Sequence, residues 1–186
     1  MTRSFGVAVG LPEPYTSELQ NWRERLGDPN AAGIPPHVTL LPPTALPAAA
    51  LPEVERHLRD VAAAGRAFEV HLSGSHSFRP LSPVVFVPLA AGGEQCGLLQ
   101  HAVRSGPLSG ELAFPYHPHV TVAHDLDDAA LDRAHAALAE YEARFTVWGF
   151  TLFEQDRRGV WCPQRDFGFG SGALPHPVEP PGLRAP

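Results

Sequence analysis

Two tripeptides of identical make-up, His37-Val38-Thr39 and His119-Val120-Thr121, stand out in this chain for the chemistry their residue types allow. On a β-strand, residues i and i+2 point to the same face. Each tripeptide on a strand therefore presents an imidazole beside a hydroxyl and turns its valine to the opposite face. Brought together about a twofold axis, the two pairs surround a space the size of one phosphate. One neutral imidazole then takes a proton from a nucleophile, and the other, protonated, gives one to a leaving oxygen. Histidine suits both duties because its unperturbed pKa lies near ~6.5. The threonine hydroxyls donate to non-bridging phosphate oxygens and stabilise charge as it develops. This chemistry needs no metal and no cofactor. A lone His-x-Thr tripeptide is cheap and reads as a structural histidine, but two copies at corresponding places of a repeat favour the functional reading.

The elements that must position these tripeptides also recur. Residues 5–11 read as a buried strand ended by Pro12. Thr16–Leu26 reads as a helix, with Leu19, Trp22 and Leu26 on one face and Thr16 or Ser17 as its cap. His37–Leu41 is a short strand stopped by Pro42-Pro43, Pro52–Ala64 a helix with proline in its first turn, and Ala67–Ser73 a strand. The second half follows the same order: a strand over 83–89, a helix over 94–105, a strand over 119–123, a helix over 128–141 and a strand run from Phe145. Val160–Pro163 adds one further strand. The unit of strand, helix, His-Val-Thr strand, helix, strand thus occurs twice, which sets an architecture of two related halves.

Composition narrows the field. The 14 basic residues among 186 are all arginine, which excludes a Schiff-base lysine and a P-loop. A net charge of −6 argues against broad coating of nucleic acid, but leaves room for one phosphate-sized pocket. No stretch approaches the roughly 18 apolar residues of a membrane span, and the N-terminus lacks the apolar segment of a signal peptide. Two cysteines without CxxC spacing give neither a zinc knuckle nor a disulfide framework. The expectation is a cytoplasmic, monomeric protein with no membrane association and no obligate protein partner. Hydrophobic content of 44% is enough for one core at this length.

The paired His-x-Thr strands and the repeat order resemble the two-histidine (2H) phosphoesterase superfamily, in particular its bacterial branch of 2′-5′ RNA ligases and RNA 2′,3′-cyclic phosphodiesterases. The resemblance runs to about Asp166. It implies an α+β fold of two pseudo-twofold-related lobes, with antiparallel sheets facing a central cleft and helices outside. That domain would span residues 1–169, with lobes 1–80 and 81–169 that exchange strands, followed by a Gly/Pro-rich tail over 170–186. It also implies metal-independent opening of 2′,3′-cyclic phosphate ends of RNA or nucleotides to 2′-phosphates, with 2′-5′ ligation as a reversible side activity. Residue by residue, it makes His37 and His119 the catalytic pair and Thr39 and Thr121 the phosphate-binding hydroxyls. His119 would be the base toward water and His37 the acid toward the leaving oxygen. Two departures stand out: His124 follows the second motif where the better-known members carry a basic residue, and Leu41-Pro42-Pro43 replaces a Phe-Leu-Gly turn. Alternative readings are a 2H enzyme for a small-metabolite cyclic phosphate, and a non-catalytic module that binds RNA ends or nucleotides.

Further candidates surround the motifs. His117 shares a face with His119, and with His124 it could be read as a metal ligand, but no carboxylate or thiolate matches it beside the first motif. Arg79 and Arg157-Arg158 occupy similar places ahead of strands ending in proline, and are candidate cations for substrate. Tyr116, ahead of Phe114, Phe78 and Trp161, is the preferred aromatic for stacking a base. His57 and His135 fall on helices and read as surface residues.

Overall fold

Valine, leucine and phenylalanine at every second position give the central strands one buried face. In β1 (Thr2–Gly10) these residues are Phe5, Val7 and Val9; in β2 (His37–Pro47), Val38 and Leu40; in β6 (His119–His124), Val120 and Val122. The computed structural model describes residues 2–170; the tail expected over 170–186 lies, beyond its first residue, outside them. The remaining strands are β3 (Phe68–Ser73), β4 (His76–Ser77), β5 (Val84–Ala91), β7 (Glu142–Val147), β8 (Gly149–Gln155) and β9 (Trp161–Gly168). All nine form one curled antiparallel sheet in the order β7-β3-β5-β6-β2-β1-β8-β9, with β4 beside β5.

The two lobes are halves of this sheet. They meet where Val38 of β2 pairs with Val120 of β6, and outward from that pair the order mirrors itself: β2-β1-β8-β9 on one side, β6-β5-β3-β7 on the other. Four helices cover the valine face. Although α1 (Tyr15–Leu26) follows β1, it packs against β6, and α3 (Gly93–Val103), which follows β5, packs against β2. α4 (Asp128–Ala137) joins α1 over β5 and β6, while α2 (Leu51–Ala64) lies against α3 and β9. Leu19, Leu58, Leu99 and Leu131 bring the four helices into one core with the buried strand residues. The opposite face of β2 and β6 is left to the histidines and threonines.

Several boundaries differ from expectation, each for a local reason. Pro42-Pro43 does not stop β2, because β6 touches β2 only at Val38 and the strand pairs onward with β1 alone. A proline there removes no cross-strand bond from an occupied edge. α4 ends at Ala137 rather than Tyr141, since 142–147 pair with β3 in register from Ser73↔Glu142 to Phe68↔Val147. The alternation Ala143, Phe145, Val147 marks that strand. β8 forms a separate hairpin with β9. Neither Thr16 nor Ser17 caps α1: their hydroxyls donate to the Leu11 carbonyl and the Glu13 carboxylate.

Leu40 is buried directly behind the first motif, on the face away from His37 and Thr39. Leu40→Ala is expected to lower unfolding free energy by about 2–5 kcal/mol in urea titration, the range for a leucine removed from a packed core.

Candidate active site

The pairing of Val38 with Val120 settles the relation between the motifs. In an antiparallel pair, the residues flanking an opposed couple oppose one another in turn. His37 therefore stands opposite Thr121, and Thr39 opposite His119, all four on the face away from the core. The rows extend outward: Gly10 of β1 lies beside His37 and Phe86 of β5 beside Thr121, while Ala8 lies beside Thr39 and Pro88 beside His119. The four side chains form a diagonal cross, imidazole facing hydroxyl on both sides of the axis.

Both rings are held in the same way. His37 Nδ1 donates to the Pro35 carbonyl at 2.9 Å, and His119 Nδ1 donates to the His117 carbonyl at 2.7 Å. A carbonyl oxygen can only accept, so each Nδ1 carries the hydrogen and each Nε2 is the basic nitrogen. This is one device used twice: a backbone carbonyl two residues upstream fixes the tautomer. Burial lowers the His37 pKa from 6.5 to about 4, aided by the positive charge of Arg23 and the neighbouring His119 and opposed by the bond to Pro35. Burial lowers His119 as well, with His117 adding to it and the bond to the His117 carbonyl opposing it. In the ligand-free cleft at neutral pH both imidazoles are neutral.

The loop ahead of His37 is anchored by a residue that sequence reasoning missed. Arg23, buried on α1, pairs with Asp28 at 2.9 Å and donates to the Ile34 carbonyl at 2.6 Å, one residue before the carbonyl that holds His37. The signal was an arginine four residues after Leu19 on the apolar face of the helix. On the other side, Phe78 and Phe86 stack at 4.2 Å and meet the His119 ring at 5.0 and 5.1 Å. Exposed His117 stands edge-on to the same two phenylalanines.

The other candidates sort as follows. Tyr116 joins the site from behind: it packs against the core and its hydroxyl donates to the Thr39 carbonyl at 2.9 Å, so it supports β2 rather than offering a free ring face. His124 lies at the opposite end of β6 from His119, beside Asp125. Arg79 is engaged by Asp128 at 3.3 Å and Asp132 at 2.6 Å on α4. Arg157 and Arg158 are exposed in the β8–β9 turn, with Arg158 paired to Asp156. The surface reading of His57 is corrected, for its Nε2 donates to the Val103 carbonyl and ties α2 to the end of α3. Exposed His135 is engaged by buried Ser75.

A curled antiparallel sheet carrying two His-x-Thr strands side by side over a layer of helices defines the 2H phosphoesterase class. Its fold is shared with crystal structures of Escherichia coli LigT. The complex with 3′-AMP superposes with a TM-score of 0.66 at 22% identity over 91% of this chain and 99% of LigT. A LigT complex with phosphate gives 0.64 at 20% identity over 90% and 98%. A Thermus thermophilus protein gives 0.65 at 22% identity over 89% and 97%. The 2′-5′ RNA ligase superfamily model matches residues 11–159, and the chain belongs to that superfamily. A Bacillus pumilus relative named for phosphoesterase activity is 30% identical over 168 residues, 89% of this chain and 97% of its own length. Another, of Bacillus cytotoxicus, is 28% identical over 173 residues, 91% and 98%.

The lowered His37 value carries a stability signature. Between its unfolded value of 6.5 and about 4 the unfolded chain binds a proton that the folded one refuses, so stability falls as pH falls through that window. Urea titrations at pH 7 and pH 4 should show wild type losing about 2–3 kcal/mol more than His37→Gln, the size of a shift of this extent. Equal losses would mean that the ring is not held neutral.

Proposed function

We propose that this 2H phosphoesterase opens 2′,3′-cyclic phosphate ends of RNA or nucleotides to 2′-phosphates, without a metal. The observation that carries the reading is the matched pair of imidazoles, both with Nδ1 held by a backbone carbonyl and Nε2 left for chemistry, on neighbouring strands of one open sheet face. His119 Nε2 takes a proton from water as the water oxygen attacks phosphorus. The P–O3′ bond breaks, and His37 Nε2 gives its proton to O3′. The Thr39 and Thr121 hydroxyls hold the non-bridging oxygens. This order of roles is the one the family resemblance implies, and an apolar pocket beside His37 and Thr39 that suits the nucleoside carrying O3′ supports it. The substrate's own negative charge favours the protonated imidazole, so the acid gains its proton as substrate binds. A 5′-hydroxyl in place of water forms a 2′-5′ phosphodiester by the same geometry. The LigT complexes with 3′-AMP and with phosphate support a nucleotide phosphate as the ligand.

Assays in chelator on a 2′,3′-cyclic nucleotide should show His37→Ala and His119→Ala each losing about 10²–10⁴ in kcat, the usual contribution of a positioned acid or base. The profile of kcat/KM against pH should be a bell with its maximum between about 4 and 6.5, because both free-enzyme values are lowered. Turnover surviving in both variants, or strict dependence on a metal, contradicts the proposal. Binding of a cyclic-phosphate oligonucleotide without turnover makes the chain a binding module.

A further inference from the structure

Arg23 and Asp28 are a buried ion pair to which the mechanism gives no task. Desolvation offsets most of the attraction between two buried charges, so such a pair adds little net stability over apolar side chains of the same size. Its hydrogen bonds give it a different purpose. Arg23 Nε donates to Asp28 Oδ2 at 2.9 Å, and Arg23 Nη1 to the Ile34 carbonyl at 2.6 Å. Asp28 Oδ1 accepts the Asn30 backbone N–H at 2.9 Å. Gln20, three residues before Arg23 on α1, donates to the Ala31 carbonyl at 2.9 Å. The loop from Asp28 to Ile34 is thus fastened to α1 at both ends. The Gly33 carbonyl, accepting the Trp161 backbone N–H at 2.8 Å, fastens it to β9 as well. The next residue is Pro35, whose carbonyl holds His37 Nδ1.

The matching arrangement at His119 has no such backing. There the holding carbonyl belongs to exposed His117. The chain ahead of it is tied by Tyr116 to the Thr39 carbonyl, and its Gly110 and Glu111 carbonyls accept from Arg104, with no ion pair among the described residues. Only the first imidazole is therefore set by buried charge. Arg23 itself is no substrate contact: it is 4% exposed, and both Nε and Nη1 are spent on protein acceptors. Its charge reaches the His37 ring, whose pKa is lowered first by burial and then further by Arg23 from α1 and His119 from β6. Among the described residues no carboxylate acts on that ring directly, so Asp28 bears on it by balancing Arg23.

Resting on the phosphoesterase reading above, we propose that the Arg23–Asp28 pair positions the general acid. Arg23 holds the loop that places His37, and Asp28 balances the arginine so that its charge does not keep a proton off the ring.

The test compares Arg23→Gln, Asp28→Asn and the double variant, in which neither buried charge remains, by kinetics on a 2′,3′-cyclic nucleotide and ring NMR titration of His37 and His119. Near-ultraviolet circular dichroism checks the fold. At its own pH optimum each variant should lose about 10- to 100-fold in kcat with KM nearly unchanged, the effect of a displaced reacting group. Removing the arginine's charge should let His37 take up its proton at higher pH in Arg23→Gln. Leaving that charge unbalanced should move uptake to lower pH in Asp28→Asn, with the double variant between the two and His119 nearly unmoved. Opposite shifts from the two halves of one pair are a signature that loosened packing does not produce. A folded Arg23→Gln with wild-type kcat, or His37 shifts of the same sign in both single variants, overturns the proposal. So does a raised KM at unchanged kcat, which would make Arg23 a substrate contact. Loss of the fold even in the double variant makes the pair a structural one and overturns it too. If wild type turns over no cyclic nucleotide, the phosphoesterase reading falls, and the His37 titrations still decide whether the pair governs that ring.

Discussion

The antiparallel pairing of Val38 with Val120 joins the two halves of the sheet, and the site depends on it. Side chains on a strand alternate with a period of two, so burying both valines against the helices forces their flanking residues to the open face. A slip of one residue in either strand would bury a histidine and a threonine and expose valine to water. The hydrophobic effect that closes the core therefore also aims the imidazoles. Register, more than any hydrogen bond between site residues, brings His37 opposite Thr121 and His119 opposite Thr39.

Electrostatics follow from the same enclosure. The chain has no lysine, and several arginines are tied to carboxylates: Arg23 to Asp28, Arg79 to Asp128 and Asp132, Arg158 to Asp156, Arg165 to Glu55. The cleft thus waits as a neutral site with two depressed imidazoles. An anionic ligand supplies the charge that lets one of them hold a proton. On the proposed reading, acidic net charge and a phosphate ligand are compatible, since the binding groups would be hydroxyls and imidazoles of the two motifs rather than a basic surface.

The candidate site is legible in the sequence because its tripeptide is written twice, and a period-two rule suffices to orient both copies. The repeat order also carries the architecture of two related halves. What escapes depends on partners distant in sequence. Pro42-Pro43 looks like a strand stop until β1 is seen to be the only neighbour of that segment, and the helix reads on to Tyr141, with the strand starting only at Phe145, until β3 claims the chain from Glu142. Arg79 looks like a free cation because Asp128 and Asp132 reach it from a helix far along the chain. Arg23 goes unnoticed because Asp28 and the Ile34 carbonyl, which justify its burial, belong to the loop after its helix.

Ring nitrogen NMR of His37 and His119, with and without adenosine 2′-monophosphate, addresses most directly whether the two imidazoles share one phosphate. Both rings should be Nδ1–H tautomers at neutral pH, and the ligand should move both Nε2 signals and raise both pKa values. A response at only one ring, or a hydrogen on Nε2 in the free neutral protein, would contradict a shared site.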